Sequence, residues 1–320
     1  MVDAASLSPK TFLLTLIAKL HLGEVAADII LALFFHGRLT CAELSTRCKL
    51  PIKKVKATLV SLIQLHCLHY WQTGKTFHYL LNEDGLWILV HSGDIVNHIH
   101  SIYDAESAQI IQNIILVGNV RVQDYTGVSK GEDKKAVFEE NQRFVRLFQD
   151  GWLVKVQHYD FSPIQDLWDK LYQETLKIIP RLANTSEIKR VNEAKEKTKV
   201  KLTELFDELS QDPNQFYELE SGIRKLKPLL VVRFNLERFE KHLRTRAFTA
   251  FARARVGAVS AKVLEKGLWK IEQKSPAIKH YFSDISGLIN DQDDERLLYH
   301  SIENKAVDQR ETTFNIRDIE

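Results

Sequence analysis

Residues 22–81 read LGEVAADIILALFFHGRLTCAELSTRCKLPIKKVKATLVSLIQLHCLHYWQTGKTFHYLL, and this stretch decides the fold. Glu24 to Phe35 is apolar on most faces, as in a helix packed on several sides. Gly37 stops it, where a left-handed residue is needed. Thr40 followed by Glu43 has capping-box spacing and opens a short helix, Cys41 to Cys48. Pro51 opens the next, where its missing N–H costs nothing. Ile52, Val55, Leu59, Leu62 and Leu65 then repeat at helical spacing. Leu68–Trp71 and Phe77–Leu81 follow as alternating runs joined through Gly74, the pattern of a β-hairpin. Three helices closed by a two-stranded wing are the parts of a winged helix.

The pattern returns about eighty residues later, and such a repeat outranks local propensity. Ala27, Ile29, Ile30 and Gly37 are matched by Ala108, Ile110, Ile111 and Gly118, and Glu43-Leu44 by Asp124-Tyr125. A third helix from about Lys134 to Gln149 leads through Asp150-Gly151 into a strand, Trp152 to Val156. The wing is expected to return at Tyr159 and Phe161. The expected fold class is mainly α with small β wings (α+β), built as tandem winged-helix domains.

The remaining chain divides around these two copies. Residues 1–103 form the first winged helix with a leading helix after Ser8-Pro9 and a trailing one from about Gly85 to Tyr103. Residues 104–180 form the second, ending in a helix that starts at Ser162-Pro163. Lysines and glutamates alternate through 181–215, the pattern of an exposed, charged helical linker. Residues 216–320 form a third, incomplete winged-helix unit with an acidic tail after Ser283. It contains a strand at Leu229–Phe234, a long helix capped by Asn235 and broken at Gly257, and a second helix from Val259 to Ile271.

Hydrophobic content of 44% and charged content of 27% are those of a soluble globular protein. With 44 Lys and Arg against 42 Asp and Glu, the net charge of +2 excludes a whole-chain attraction to nucleic acid, so any basic surface is local. Cys41, Cys48 and Cys67 show no paired spacing and fit a reducing compartment. The apolar run Phe12–Phe35 is interrupted by Lys19, His21, Glu24 and Asp28, so no membrane span is expected. No basic segment precedes it, so no signal peptide is expected either.

No catalytic constellation is found, and no enzyme activity or cofactor is expected. Thr73-Gly74-Lys75-Thr76 resembles the end of a phosphate-binding loop, but His69 stands where that motif requires glycine. His98 and His100 point to different faces of a helix. His66 and His69, at a helix end, read as packing residues before metal ligands.

Basic residues point instead to nucleic acid. A winged helix meets DNA mainly through the N-terminal residues of its third helix. Here those are Lys53, Lys54 and Lys56, with Lys75 at the wing tip. Thr58, Ser61 and Gln64 follow, and no arginine is placed for bidentate reading of guanine, so phosphate contact is the expectation. The alternative is that these lysines merely solvate the helix. In the second copy Glu139 and Glu140 stand beside Arg143 and Arg146 and would repel phosphates, which points to a protein partner. The densest basic run lies between Arg238 and Lys262, with seven basic residues against one acidic, Glu240. Leu236, Phe239, Leu243, Ala247 and Ala250 are expected as its buried stripe. That leaves Arg244, Arg246, Arg253, Arg255 and Lys262 as the candidate nucleic-acid contacts, on a surface that suits DNA, RNA or an acidic protein face and onto which the acidic tail after Ser283 could instead fold back.

The chain also resembles a known family. His21 to Ala27, Gly37 to Thr40 and Lys56 to Leu62 are similar to the first winged helix of the large subunit of the RNA polymerase III initiation heterotrimer, a relative of the alpha subunit of TFIIE. The likeness continues at Tyr79, Asn82-Glu83, Gly85 and Ser92-Gly93, at Ser162 to Trp168, at Arg255 to Val259, at Glu272 to Pro276 and at Thr313 to Asn315. It implies a nuclear, non-catalytic subunit that sits with two smaller subunits on the clamp of the largest one. The family assists promoter recognition and DNA opening, beside a TFIIB-related initiation factor. The family's fourth winged helix and C-terminal coiled coil are not found in this sequence, so their contacts are not carried over. Two other readings stand beside this one. A free-standing winged-helix regulator would need base-reading side chains between Lys53 and His66. A scaffold subunit of another assembly would have no affinity for DNA.

Overall fold

The computed structural model describes residues 8–126, 134–180, 187–207, 213–220, 223–272, 278, 281–286 and 288. Most of the acidic tail, the Ser275-Pro276 stop and the Thr313-Phe314-Asn315 motif lie outside them. The chain divides into two compact units, residues 1–149 with 153–234, and residues 150–152 with 235–320.

The first winged helix forms as its sequence dictates. Helix α1 (Pro9–Leu22) is capped by the Ser8 hydroxyl, which accepts from the Thr11 N–H at 3.1 Å. After it come α2 (Glu24–His36), strand β1 (Leu39–Thr40), α3 (Cys41–Cys48), α4 (Ile52–Gln64), β2 (Leu68–Thr73) and β3 (Thr76–Leu81). Thr40 and Glu43 complete the capping box in both directions, and the three strands pair antiparallel in the order β1-β3-β2. The core is the inner face of these helices, with Ile29, Ile30, Leu44, Val55, Leu59, Leu62 and Leu68 at most 2% exposed. The trailing helix is in fact two, α5 (Glu83–Val90) and α6 (Ser92–Ile102), broken at His91, where the Ser92 hydroxyl donates back to the Leu89 carbonyl.

The second winged helix opens with α7 (Ala105–Val117), β4 (Asn119–Arg121), α8 (Val122–Thr126), α9 (Lys134–Gln149) and β5 (Leu153–Lys155). It then departs from the expected order. His158–Phe161 is a single 3-10 turn and not the returning wing strand. There follow α10 (Ile164–Ile178), α11 (Glu187–Asp207) and a hairpin of β6 (Tyr217–Glu220) and β7 (Ile223–Leu226). Only then does β8 (Val231–Phe234) arrive, pairing with β4 on one side and β5 on the other. The strand assigned from sequence to a third unit is thus the centre of the second sheet. Its alternation explains the choice, since Val232 and Phe234 are buried at 0% and 2% exposure and both of its edges carry ladder bonds.

The charged stretch expected as an exposed linker is helix α11, and one of its faces is packed against α10. Ala194, Thr198 and Leu202 are buried there. Arg190, also buried, donates to the Leu176 and Ile179 carbonyls at the open end of α10, a C-terminal cap supplied from a neighbouring helix. Most of the glutamates and lysines face solvent, while Lys201 donates to the Thr175 hydroxyl of α10 at 3.0 Å.

The two winged helices are joined by a tight seam. Gln64, the last residue of α4, donates from Nε2 to the Asn119 carbonyl and Oδ1, and Asn119 Nδ2 donates back to the Gln64 carbonyl at 3.2 Å. Gly118, at φ 90°, permits this approach, because a Cβ there would run into the Gln64 carbonyl. The His66 ring stacks on Phe161 at 4.8 Å, which gives the 3-10 turn its role. On a second edge Arg38 grips the Asp166 carboxylate with both terminal nitrogens, tying the first winged helix to α10.

His66 and His69 lie beside this seam, near Asp160 and Arg233. Burial, the largest cause, holds both imidazoles neutral and lowers each to about 4. The unfolded chain titrates near 6.5, so between 6.5 and 4 it binds more protons than the folded one. Stability is then full above pH 6.5 and is lost as pH falls toward 4. Each ring can contribute up to about 1.4 kcal/mol per pH unit inside that window. Thermal unfolding followed from pH 7.5 to 5 is expected to show a falling midpoint below pH 6.5. The double variant His66→Asn/His69→Gln should flatten that fall; asparagine is chosen because His66 sits at φ 55°.

Candidate nucleic-acid interface

Two basic surfaces emerge, one in each compact unit. In the first, Lys53, Lys54 and Lys56 are exposed in the opening turns of α4, and Lys75 is exposed at the wing tip beside Gly74. The α4 N-terminus has no side-chain cap and no acidic residue in its first turn, so its orphan N–H groups and the lysines present one continuous positive end. Further along, the hydroxyls of Thr58 and Ser61 return to the carbonyls of Lys54 and Ala57, and Gln64 is spent on Asn119. The side chains that follow the lysines are therefore committed elsewhere, and the face offers charge without a base-reading group.

The equivalent helix of the second copy is partly covered by its own chain. The β6–β7 hairpin lies along α9, where Gln142 Nε2 donates to the Arg224 carbonyl at 3.3 Å and Phe148 meets Phe216 and Tyr217 edge-on. Arg143 pairs with Asp104 at 3.0 Å, and Arg146 lies over the Tyr103 ring at 4.8 Å. Both arginines are thus occupied from within.

The second unit holds the densest basic run on α12 (Leu236–Val256), which folds back through Gly257 onto α13 (Ala258–Glu272). Leu236 and Phe239 are buried as expected, but Ala247 and Ala250 are exposed. The buried positions of α12 end at Thr245, and the residues from Arg246 to Val256 are exposed or half-buried. Arg238, at 5% exposure, is structural. Its guanidinium meets the Glu272 carboxylate, donates to the Asp150 carbonyl at 3.3 Å and stacks over Trp152 at 4.7 Å. His242 faces the same carboxylate, and burial lowers its pKa despite that attraction.

Of the residues singled out in sequence, Arg246, Arg253, Arg255 and Lys262 are exposed and Arg244 is half-buried. The structure adds Phe248 and Phe251, 53% and 58% exposed among the arginines, with Arg255 over the Phe251 ring at 4.5 Å. Exposed aromatics between arginines suit a phosphate backbone with unpaired bases stacked on the rings. Their spacing of three within a basic segment was the available signal, obscured because aromatic residues in a helix usually mark its buried side.

Among the described residues no group of three or more His, Cys, Asp and Glu side chains is placed to hold a metal ion, and no helix is long and apolar enough to cross a membrane. The sequence itself supplies the affiliation. Residues 142–320 match the model of the RNA polymerase III subunit RPC82 family, and residues 12–73 match the helix-turn-helix domain of that subunit. The chain belongs to the RNA polymerase III subunit RPC82 family. Similar relatives of this family are named DNA-directed RNA polymerase III subunit RPC3. The relative from Scheffersomyces stipitis is 49% identical over 314 residues, 98% of this chain and 52% of that protein. In Debaryomyces hansenii the identity is 51% over 319 residues, 99% and 52% of the two chains, and in Candida albicans it is 46% over 322 residues, 100% and 54%. The chain spans about half the length of these relatives. The RPC82 helix-turn-helix match falls on the winged helix that carries Lys53, Lys54 and Lys56.

The two classes of arginine on α12 are expected to respond oppositely to mutation. Arg238→Ala would take the guanidinium away from the buried Glu272 carboxylate and should destabilise the second unit by roughly 3–5 kcal/mol. Arg246→Ala, on the exposed face, should change stability by no more than about 0.5 kcal/mol. Urea unfolding of the two variants side by side checks this.

Proposed function

We propose that this chain works as part of a non-catalytic subunit of RNA polymerase III, in the nucleus. It joins two smaller subunits in a heterotrimer on the clamp, next to a TFIIB-related initiation factor, and assists promoter recognition and DNA opening. The observation that carries the DNA-contacting part is the exposure of the last turns of α12 and of the start of α13. Helical spacing sets Phe248, Phe251 and Arg255 on one side of α12 with the half-buried Arg244, while Arg246 and Arg253 are exposed on the other side and Lys262 is exposed on α13. Arginines of this kind neutralise phosphates, and exposed rings stack on bases released from pairing, the two needs of a protein that stays on DNA as it opens. Lys53, Lys54, Lys56 and Lys75 form a second, weaker contact to phosphate alone. Since none of these groups is arranged to read a base edge, promoter choice comes from the assembly and this chain adds grip.

Reversing charge in the quadruple variant Arg244→Glu/Arg246→Glu/Arg253→Glu/Arg255→Glu is expected to weaken DNA binding and flatten its salt dependence. Each lost phosphate contact on duplex DNA removes about 0.9 from the slope of log K against log salt, so the slope should fall by roughly 3–4. Fluorescence anisotropy with labelled duplex and single-stranded DNA between 50 and 200 mM salt measures it. An unchanged slope would remove this face from the DNA contact. Polymerase subunits copurifying with the tagged chain test the assembly itself.

A further inference from the structure

The outer side of α4 holds a feature that phosphate contact does not use. Between α4 and the junction of α1 with α2 lies an open pocket of about 240 Å3, lined by Leu22, Ala26, Ala57, Thr58, Leu62 and Leu65 and rimmed by Ser61. It is smaller than the roughly 300–1,000 Å3 of sites for drug-sized ligands and has room for a single large apolar side chain. Val60, next to Ser61 in the chain and outside the lining, is 69% exposed. The Thr58 and Ser61 hydroxyls at the pocket already bond their own helix, which leaves the lining apolar in effect.

Charge is placed at one end of this pocket. Lys53 lies one turn before Ala57 and Lys54 one turn before Thr58, so both stand on the stripes that lead into it. Lys56 and the uncapped α4 N-terminus, without an acidic residue in the first turn, extend the positive end. A DNA backbone would satisfy the lysines and leave the apolar hollow unfilled. A polypeptide with a large apolar residue and carboxylates about one turn away satisfies both.

We propose that this pocket docks a segment of another protein subunit, which inserts one large apolar side chain and sets Asp or Glu side chains against Lys53, Lys54 and the start of α4. The segment and duplex DNA then compete for the same lysines, so occupation of the pocket withdraws the first winged helix from DNA. The choice of a subunit as partner rests on the reading of the chain as part of a polymerase.

The test places a photo-crosslinking benzoylphenylalanine at Val60 in the tagged chain, irradiates the assembly that copurifies with it, and sequences the captured peptide by mass spectrometry. The expected product is a peptide of another subunit with a large apolar residue close to Asp or Glu. Ser61→Trp, which fills the pocket from an exposed position, should lower its yield roughly tenfold, and so should Lys53→Glu/Lys54→Glu. Ala57→Glu, at another exposed position, should do the same by charge. Anisotropy on the Ser61→Trp chain should show unchanged affinity for duplex DNA. Capture of DNA alone, capture of a peptide without carboxylates, no capture, or a yield indifferent to Ser61→Trp would each overturn the proposal. A valid capture from an assembly other than RNA polymerase III would overturn the polymerase reading and leave the pocket assignment standing.

Discussion

The second sheet closes around β8, and most of the first unit follows from that pairing. Strands β4 and β5 are three residues each, too short to persist as a sheet by themselves. Each has an edge whose N–H and C=O groups need partners. The strand that satisfies both, Val231–Phe234, arrives only after α10, α11 and the β6–β7 hairpin. The elements described between Val156 and Leu230 are therefore an insertion in the wing of a winged helix, with both ends fixed in one sheet. The backbone bonds from Val156 N–H to the Val231 carbonyl and from Val122 N–H to the Leu230 carbonyl mark where it is pinned.

That insertion changes what the second winged helix is available for. In an unmodified winged helix the third helix has a free outer face. Here the hairpin covers part of it through Gln142 and Phe148, while Arg143 and Arg146 are drawn to Asp104 and Tyr103. The copy survives as architecture. Its companion keeps its outer face, yet the far end of α4 is locked into the seam by Gln64 and Asn119. The two copies share a fold and differ in which surface remains open, and the difference is made by chain connectivity more than by the residues of either helix.

Local chemistry made the first copy legible. The Thr40–Glu43 capping box, Gly37 and the alternation of the hairpin act within a few residues of themselves, and each formed as read. The second wing was misplaced for the opposite reason. Tyr159 and Phe161 alternate as a strand would, but Phe161 lies against His66 and Tyr159 against Phe206. Both contacts span large sequence separations that periodicity does not report. The true strand carries no mark naming its partners, since Val-Val-Arg-Phe would suit many sheets. Helix α11 shows the same limit: its charge pattern described the solvated side correctly and hid Ala194, Thr198 and Leu202 on the other.

The basic segment of α12 marks where reading by residue type stops. Arg238 and Arg246 stand two turns apart in one run of like charge, and sequence gives no means to rank them. Burial separates them. Arg238 is enclosed with Glu272, and a guanidinium removed from water persists only with such a partner and further acceptors. Arg246 keeps its hydration and its full charge for an outside ligand. A count of basic residues thus overstates the surface by those the fold consumes, and Lys241, nine-tenths buried beside Glu237, is a second such loss. What remains is fewer charges than the sequence offers, on the same turns of α12 as two exposed phenylalanines. Charge alone would describe a solvated helix; it is charge beside unburied rings that supports the proposal of a ligand here.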